Sequence, residues 1–305
     1  MYFKKKSVFY LLTLISVTTI AQSIPRFDVQ GHRGARGLLP ENSIPGFILA
    51  LDSGVTTLEL DVAITKDKQV VVSHEPWMSA SICLNTDGNR IDPKEEMKFN
   101  LYEMEYALIR NFDCGSLGNE RFPGQKKLRV TKPLLKDVII DVEKHIKSFT
   151  QYEVDYNIEI KSDKTGDGKF HPAPAEFADI VIKLIDEYIP LNRVVIQSFD
   201  FRVLTYIHEK YPKIRLAALV ENNNSVEKNL VDLGFSPNVY SPFYKSLTIE
   251  SVQKLKEKKI RVIPWTVNEI QEMMDLKKMG VDGLITDYPD RAIKAGLINK
   301  TTKKK

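Results

Sequence analysis

From Phe27 onward the chain alternates between short β-branched or apolar runs and longer stretches whose apolar residues recur at helical spacing. The runs Phe27–Gly31, Thr57–Ile64, Val154–Ile160, Val194–Gln197, Arg215–Val220, Asn238–Ser241, Arg261–Trp265 and Gly283–Thr286 read as strands. Between them, Leu135, Val138, Ile139, Val142, Ile146 and Phe149 keep to one helical face, which predicts a helix over Leu135–Phe149. The same spacing predicts helices over Ala173–Tyr188, Phe201–Lys210, Ser225–Leu233, Thr248–Lys258 and Glu269–Met279. Strands and helices in alternation predict an α/β fold with a parallel sheet, and the number of strands predicts a (β/α)8 TIM barrel. Periodicity does not report closure, so a doubly wound open sheet is the competing arrangement.

Two segments stand outside this rhythm. Residues 75–133 are rich in Asn, Gly, Pro and charge and are too long for an ordinary connection, which predicts an inserted subdomain or lid after the second strand. At the other extreme, Lys4-Lys5-Lys6 precede an apolar run from Val8 to Ile20, and Thr19-Ile20-Ala21 sets small residues where a signal peptidase cuts. That run is shorter than the roughly 20 apolar residues that span a bilayer. Residues 1–21 are therefore expected to be a cleaved signal peptide, and 22–305 a single catalytic barrel that is secreted or periplasmic, with no stable membrane insertion. No Cys follows the apolar run, which argues against a bacterial lipoprotein.

With 305 residues, 43% of them hydrophobic and 28% charged, the chain can bury a full core. Its formal charge is +4, and losing the three lysines of residues 1–21 lowers it to +1. A near-neutral protein gives no electrostatic case for nucleic acid or an anionic membrane as partner. Lys303-Lys304-Lys305 reads as a solvated end. Cys83 and Cys114 share the long inserted stretch, and in an oxidising compartment a disulfide between them is expected, with two buried thiols as the alternative.

Polar groups fall at the C-terminal end of nearly every predicted strand: His32 and Arg33, Glu59 and Asp61, Glu159 and Lys161, Gln197 and Ser198, Trp265 and Thr266, and Asp287. In a barrel those ends form one rim, where catalytic groups gather. Glu59 and Asp61 are two apart, so both point to one face of their strand, and acids facing an apolar interior need a partner. Glu159 adds a third oxygen donor. One hard divalent cation, Ca²⁺ or Mg²⁺, suits such a set; a salt-bridged network with Arg33 and Lys161 is the alternative. His32 and His74 are candidate base and acid, because imidazoles trade protons near neutral pH. Together these groups suit a metal-assisted attack on a phosphate ester.

The remaining candidates carry less. Phe199 and Trp265 either line a substrate subsite or pack. Asn42 or Ser43 is expected to cap the first helix, Glu41 to support the site and Arg36 to lie at the surface. His145, His171 and His208 lack acidic or basic company and read as surface or packing residues. Asp163–Gly168 has the start of a calcium loop, but its twelfth position is Pro174 rather than Glu, so it is rejected as one.

The set His32-Arg33-Gly34, Pro40-Glu41-Asn42-Ser43, Glu59-Leu60-Asp61-Val62, Thr65-Lys66-Asp67 and Val72-Ser73-His74 resembles the glycerophosphodiester phosphodiesterases. So do Ile158-Glu159-Ile160-Lys161, Gln197-Ser198-Phe199, Pro264-Trp265-Thr266-Val267-Asn268 and Thr286-Asp287-Tyr288-Pro289, so the resemblance spans essentially all of residues 22–305. It implies a (β/α)8 barrel, a divalent metal held at Glu59, Asp61 and Glu159, an acid–base pair at His32 and His74, and phosphate contacts from Arg33 and Lys161. It further implies attack of a neighbouring glycerol hydroxyl on phosphorus, a cyclic phosphate opened by water, and release of an alcohol and glycerol 3-phosphate from a small glycerophosphodiester. Glu75 departs from the family pattern, where Asp commonly follows the histidine. A phospholipase acting on intact lipid and a noncatalytic binding barrel are the other expectations to be tested.

Overall fold

The computed structural model describes residues 27–150 and 152–298; the expected signal peptide and the lysine tail lie outside the described residues. In chain order the strands are β1 (Asp28–Gly31), β2 (Thr57–Ile64), β3 (Val70–Val72), β4 (Asp155–Ile160), β5 (Val194–Ser198), β6 (Arg215–Val220), β7 (Val239–Pro242), β8 (Arg261–Val262) and β9 (Gly283–Thr286). All but β3 run parallel, in the spatial order β8-β7-β6-β5-β4-β2-β1-β9. The ends of that row meet. Val262 O accepts from Asp282 N at 2.8 Å, Pro264 O from Ile285 N at 2.9 Å and Ile285 O from Val267 N at 2.9 Å. The sheet is thus a nearly closed barrel, and the open doubly wound alternative falls away.

The helices are α1 (Ile44–Ser53), α2 (Tyr106–Ile109), α3 (Leu135–His145), α4 (Pro174–Tyr188), α5 (Phe201–Lys210), α6 (Val226–Leu233), α7 (Ile249–Glu257), α8 (Ile270–Met279) and α9 (Pro289–Lys294). Each longer helix buries one apolar stripe on the barrel wall, as Phe177, Val181 and Ile185 of α4 do. Their partners are the outward side chains of the strands, such as Leu58, Leu60, Tyr156 and Ile158, all fully buried. Truncating Phe177 to Ala would cost about 3–5 kcal/mol through lost burial and the cavity left behind. Short polar residues start the helices: Ser43, Asp200 and Ser225 each accept a backbone N–H of the first turn, and Thr248 ahead of α7 and Ser251 in its first turn cap each other reciprocally.

Three elements differ from the sequence pattern. The helix expected over Leu135–Phe149 is α-helical only to His145 and widens into a π-helical turn, Ile146–Thr150; Phe149 is 66% exposed, so the buried stripe ends at Ile146. The strand expected over Arg261–Trp265 is regular only at Arg261–Val262, since Pro264 has no N–H to give a ladder. The apolar run Val70–Val72 is a strand in its own right, folded back antiparallel on β2 with Val62 opposite Val72.

The long segment leaves after β3 and returns beside it, with Val72 N donating to Pro133 O at 2.8 Å. It carries a small core of its own, built from Met78, Ile82, Ile91, Leu101, Ile109 and Phe112, and Cys83 and Cys114 are bonded to each other within it. Among the described residues no helix is long and apolar enough to cross a membrane.

Candidate active site

Strand register assembles the acids. Pairing of β2 with β4 sets Asp61 beside Glu159 and Glu59 beside Asn157, and pairing of β4 with β5 sets Glu159 beside Gln197. Side chains at alternate positions turn inward, and one oxygen from each of Glu59, Asp61 and Glu159 falls within 4.8 Å of the others. All three residues are buried. Glu59 accepts from Gln197 Nε2 at 2.8 Å, Asp61 from Asn42 Nδ2 at 2.9 Å, and Glu159 from Lys161 Nζ at 2.8 Å. Asp61 Oδ1 has no hydrogen-bond partner although it is buried.

Crowding shows in the electrostatics. Burial and the charges of Asp61 and Glu159 push the Glu59 carboxyl well above the ordinary carboxylate range. Burial also raises Glu159, with Lys161 opposing and Asp61 adding to the rise. Asp61 goes the other way: burial would raise it, but the Arg33 charge, with His74 and Lys161, holds it well below. One carboxylate of the three thus holds its charge while its two neighbours resist theirs, which is the state a bound cation relieves.

Arg33 reaches this cluster through an unusual turn. Its backbone is left-handed at φ 50°, Gly34 follows at φ 86°, and a Cβ on Gly34 would stand 2.7 Å from the carbonyl carbon of Gly46. Only glycine fits there. The turn aims Arg33 N at Glu59 Oε2, 2.8 Å away, and lays the guanidinium between Glu41 Oε1 at 2.8 Å and Asp61 Oδ2 at 3.3 Å.

The histidines stand on either side. His32 Nδ1 lies 2.7 Å from Asp287 Oδ1, and Nε2 lies 3.9 Å from Glu59 Oε2. Burial, with the Arg36 charge, lowers the His32 imidazole to about 4 against the pull of Asp287. Lowered this far, the ring favours its neutral form, and a neutral ring donating from Nδ1 to the Asp287 carboxylate would carry its lone pair on Nε2. His74 follows β3, where Ser73 N donates to Asp61 O at 3.0 Å. Its Nδ1 lies 2.7 Å from Glu75 Oε1 and its Nε2 3.1 Å from Lys161 Nζ, so Glu75 does the orienting where the family pattern has Asp. Phe199 meets Trp265 edge-on at 5.5 Å, and Lys161 Nζ stands 5.9 Å from the Phe199 ring. His32, Arg33, Glu59, Asp61, His74, Glu159, Lys161, Phe199 and Trp265 therefore border one rim.

Several assignments change. Arg36 is not at the surface: it is 3% exposed and donates from Nε to Asp287 Oδ1 at 2.8 Å and from Nη2 to Oδ2 at 3.1 Å. Ser43 caps α1, whereas Asn42, at φ 51°, turns its amide onto Asp61. Asn268 was visible only as part of a motif, yet its Nδ2 donates to Asp287 Oδ2 at 2.8 Å. His171 and His208 are packing residues, the first 1% exposed and the second stacked on Phe235 at 4.0 Å, while His145 bonds Asp52. Asp163 folds onto Thr165 and Gly166, and Asp167 is taken by Arg202, so no calcium loop forms.

Comparison with known proteins agrees with this geometry. A model of the glycerophosphoryl diester phosphodiesterase family matches residues 32–291. The chain is 31% identical over 265 residues to a glycerophosphodiester phosphodiesterase of Caldanaerobacter subterraneus, covering 87% of this chain and 96% of that one. A crystal structure from Silicibacter pomeroyi, itself assigned to these phosphodiesterases, superposes with a TM-score of 0.79 at 28% identity, covering 90% and 94% of the two chains. An Oleispira antarctica phosphodiesterase in complex with the product sn-glycerol-3-phosphate shares the fold at a TM-score of 0.69 and 21% identity, covering 88% and 96%. The matched span begins at His32 and takes in every acid, base and cation of the rim, so the chain belongs to the glycerophosphoryl diester phosphodiesterase family and is a phosphoric diester hydrolase by descent.

Proposed function

We propose that the protein hydrolyses glycerophosphodiesters, the soluble remnants of deacylated phospholipids, to an alcohol and sn-glycerol 3-phosphate. One observation carries it: a buried trio of carboxylates stands between a neutral histidine and a second histidine, with Arg33 and Lys161 alongside. The trio fits a divalent cation, since its donors are all oxygens and the buried Asp61 Oδ1 lacks a partner. Glu59, Asp61 and Glu159 would hold Ca²⁺ or Mg²⁺, which supplies Lewis-acid polarisation of the phosphoryl oxygens.

The chain's own groups do the rest. Arg33 and Lys161 offer donors to the phosphate oxygens. His32 takes the proton of the neighbouring glycerol hydroxyl at Nε2, because Asp287 holds its other nitrogen protonated. His74 gives a proton to the leaving alkoxide, and the cyclic phosphate is then opened by water with the two roles reversed. Phe199 and Trp265 flank the glycerol carbons.

Product analysis tests this with glycerophosphocholine, -ethanolamine, -inositol and -glycerol, beside liposomes of intact phospholipid, with and without EDTA. Glycerol 3-phosphate from the soluble esters is expected, lost on chelation and restored by Ca²⁺ or Mg²⁺. Faster cleavage of intact lipid, or full turnover by metal-free protein, would overturn the respective part. We also infer export, from Lys4-Lys5-Lys6 and the apolar run after them, with a disulfide that suits an oxidising compartment. Secreted or periplasmic protein should then begin at Gln22.

A further inference from the structure

Most charged groups around the acid cluster come from a barrel strand or the turn beyond it; one comes from the far end of the long segment. Lys132 belongs to the end of the long segment, two residues before Leu134 pairs with Val71, yet it is only 5% exposed and sits behind the candidate site. Its Nζ donates to Ser73 Oγ at 2.7 Å, and among the described residues it forms no ion pair. An ammonium buried without a carboxylate against it is costly, and burial lowers its pKa while the nearby charges of Glu75 and Glu41 resist the fall. A Met in its place would fill the same space at no such cost.

What the ammonium holds explains its placement. Ser73 Oγ in turn donates to Glu75 O at 2.5 Å, closing a tight turn across His74. The Glu75 carboxylate then meets His74 Nδ1 at 2.7 Å, and His74 Nε2 meets Lys161 Nζ, which is bound to Glu159 at 2.8 Å. One unbroken line of contacts runs from the long segment through Ser73, Glu75 and His74 to the acid cluster.

We infer that Lys132 is a positioning residue for His74: by fixing the turn 73–75 through Ser73 it keeps the Glu75 carboxylate on Nδ1 and the other ring nitrogen beside Lys161 at the edge of the acid cluster. This rests on the acid role given to His74 above. It makes the long segment part of the proton-transfer apparatus rather than only a wall around it.

The test compares K132M, S73A, H74A and K132M/H74A on two substrates: the natural diester best turned over, and a glycerophospho-nitrophenyl ester whose leaving group needs no proton. K132M and S73A should each lower kcat on the natural diester on the order of tenfold, as loss of an orienting partner does, with KM within about twofold. On the nitrophenyl ester that loss should largely disappear, and K132M should cost nothing further in the H74A background. Equal losses on the two substrates, or losses that compound with H74A, would mean a structural pin and overturn the inference. If K132M does not fold, S73A leaves the lysine in place and carries the same comparison. H74A with wild-type kcat removes the acid reading and this inference together; a normal loss in H74A with none in K132M or S73A removes this inference alone.

Discussion

Asp287 serves three partners at once: the His32 ring, the Arg36 guanidinium and the Asn268 amide. Burial would raise its carboxyl, but His32 and Arg36 hold it well below the ordinary range, so it stays charged and keeps the proton of His32 on Nδ1. On the proposed mechanism His32 is the base and His74 the acid, and His32→Ala and His74→Ala should each lower kcat on the order of 10²-fold or more. A nitrophenyl leaving group should restore much of the loss in the His74 variant and little in the His32 variant. Steady-state kinetics of the two folded variants check this, and near-wild-type kcat in both would make the imidazoles structural. The acids and histidines were legible because their types and spacings carry the chemistry. Arg36 was not: its partner lies 251 residues away, and nothing local distinguishes it from a solvated arginine. Asn42 was hidden for a different reason, since a polar residue ahead of a helix is expected to cap and only its left-handed backbone turns it to Asp61.

Helix α5 shows how an element is pinned by one side chain. Asp200 accepts from Arg202 N and from the Arg202 guanidinium, and also from Ser162 Oγ at 2.7 Å, tying the helix start to the turn after β4. Burial would raise its carboxyl, but the Arg202 bonds and the Ser162 hydroxyl hold it below its ordinary value. A depressed folded-state pKa means stabilisation present above the unfolded value, about 3.9, and lost as pH falls through the lower folded one. Asp200→Ala should therefore cost roughly 0.5–2 kcal/mol at neutral pH, with the gap to wild type narrowing below about pH 4. Urea unfolding across pH measures it; a gap that stays constant or widens in acid would refute the assignment. The alternation of strands and helices was readable because each buries a periodic face. The end of α3 was misread, since Phe149 fits the helical spacing without being buried. β3 escaped because a run of only three valines looks like any core fragment.

The molecule divides its labour between a barrel that sets the acids by register and a long segment with its own core, stapled at Cys83–Cys114. The staple closes a loop whose ends are 31 residues apart, worth about 3–4 kcal/mol in the chain-entropy model. Since the segment leaves right after His74, its middle should set the preference among leaving alcohols. Exchanging residues 77–130 for those of a relative, with Lys132 kept, should change relative kcat/KM across choline, ethanolamine, inositol and glycerol esters while the response to EDTA stays that of the parent. An unchanged ranking in a folded chimera would deny the segment that part. Its irregular backbone has no period to read, so its existence was evident from length and composition while its packing was not.

The seam between β8 and β9 has a further consequence. Where β2 meets β4 the ladder matches six residues on each strand, whereas here a two-residue strand and a few bonds beyond it complete the ring. A hoop breathes at its clasp. Amides of Val267 and Ile285 should trade hydrogen for deuterium through brief local opening long before those of Ile158 and Ile160, whose release needs global unfolding. Trp265 rides on that clasp, with its Nε1 tethered to Ser241 O on the neighbouring strand, while the carboxylates sit on β2 and β4, with β1 between them and β9. On the proposed function, opening at this joint should widen the rim beside Trp265 for a bulky alcohol, while the long β2–β4 ladder keeps the acids at their spacing.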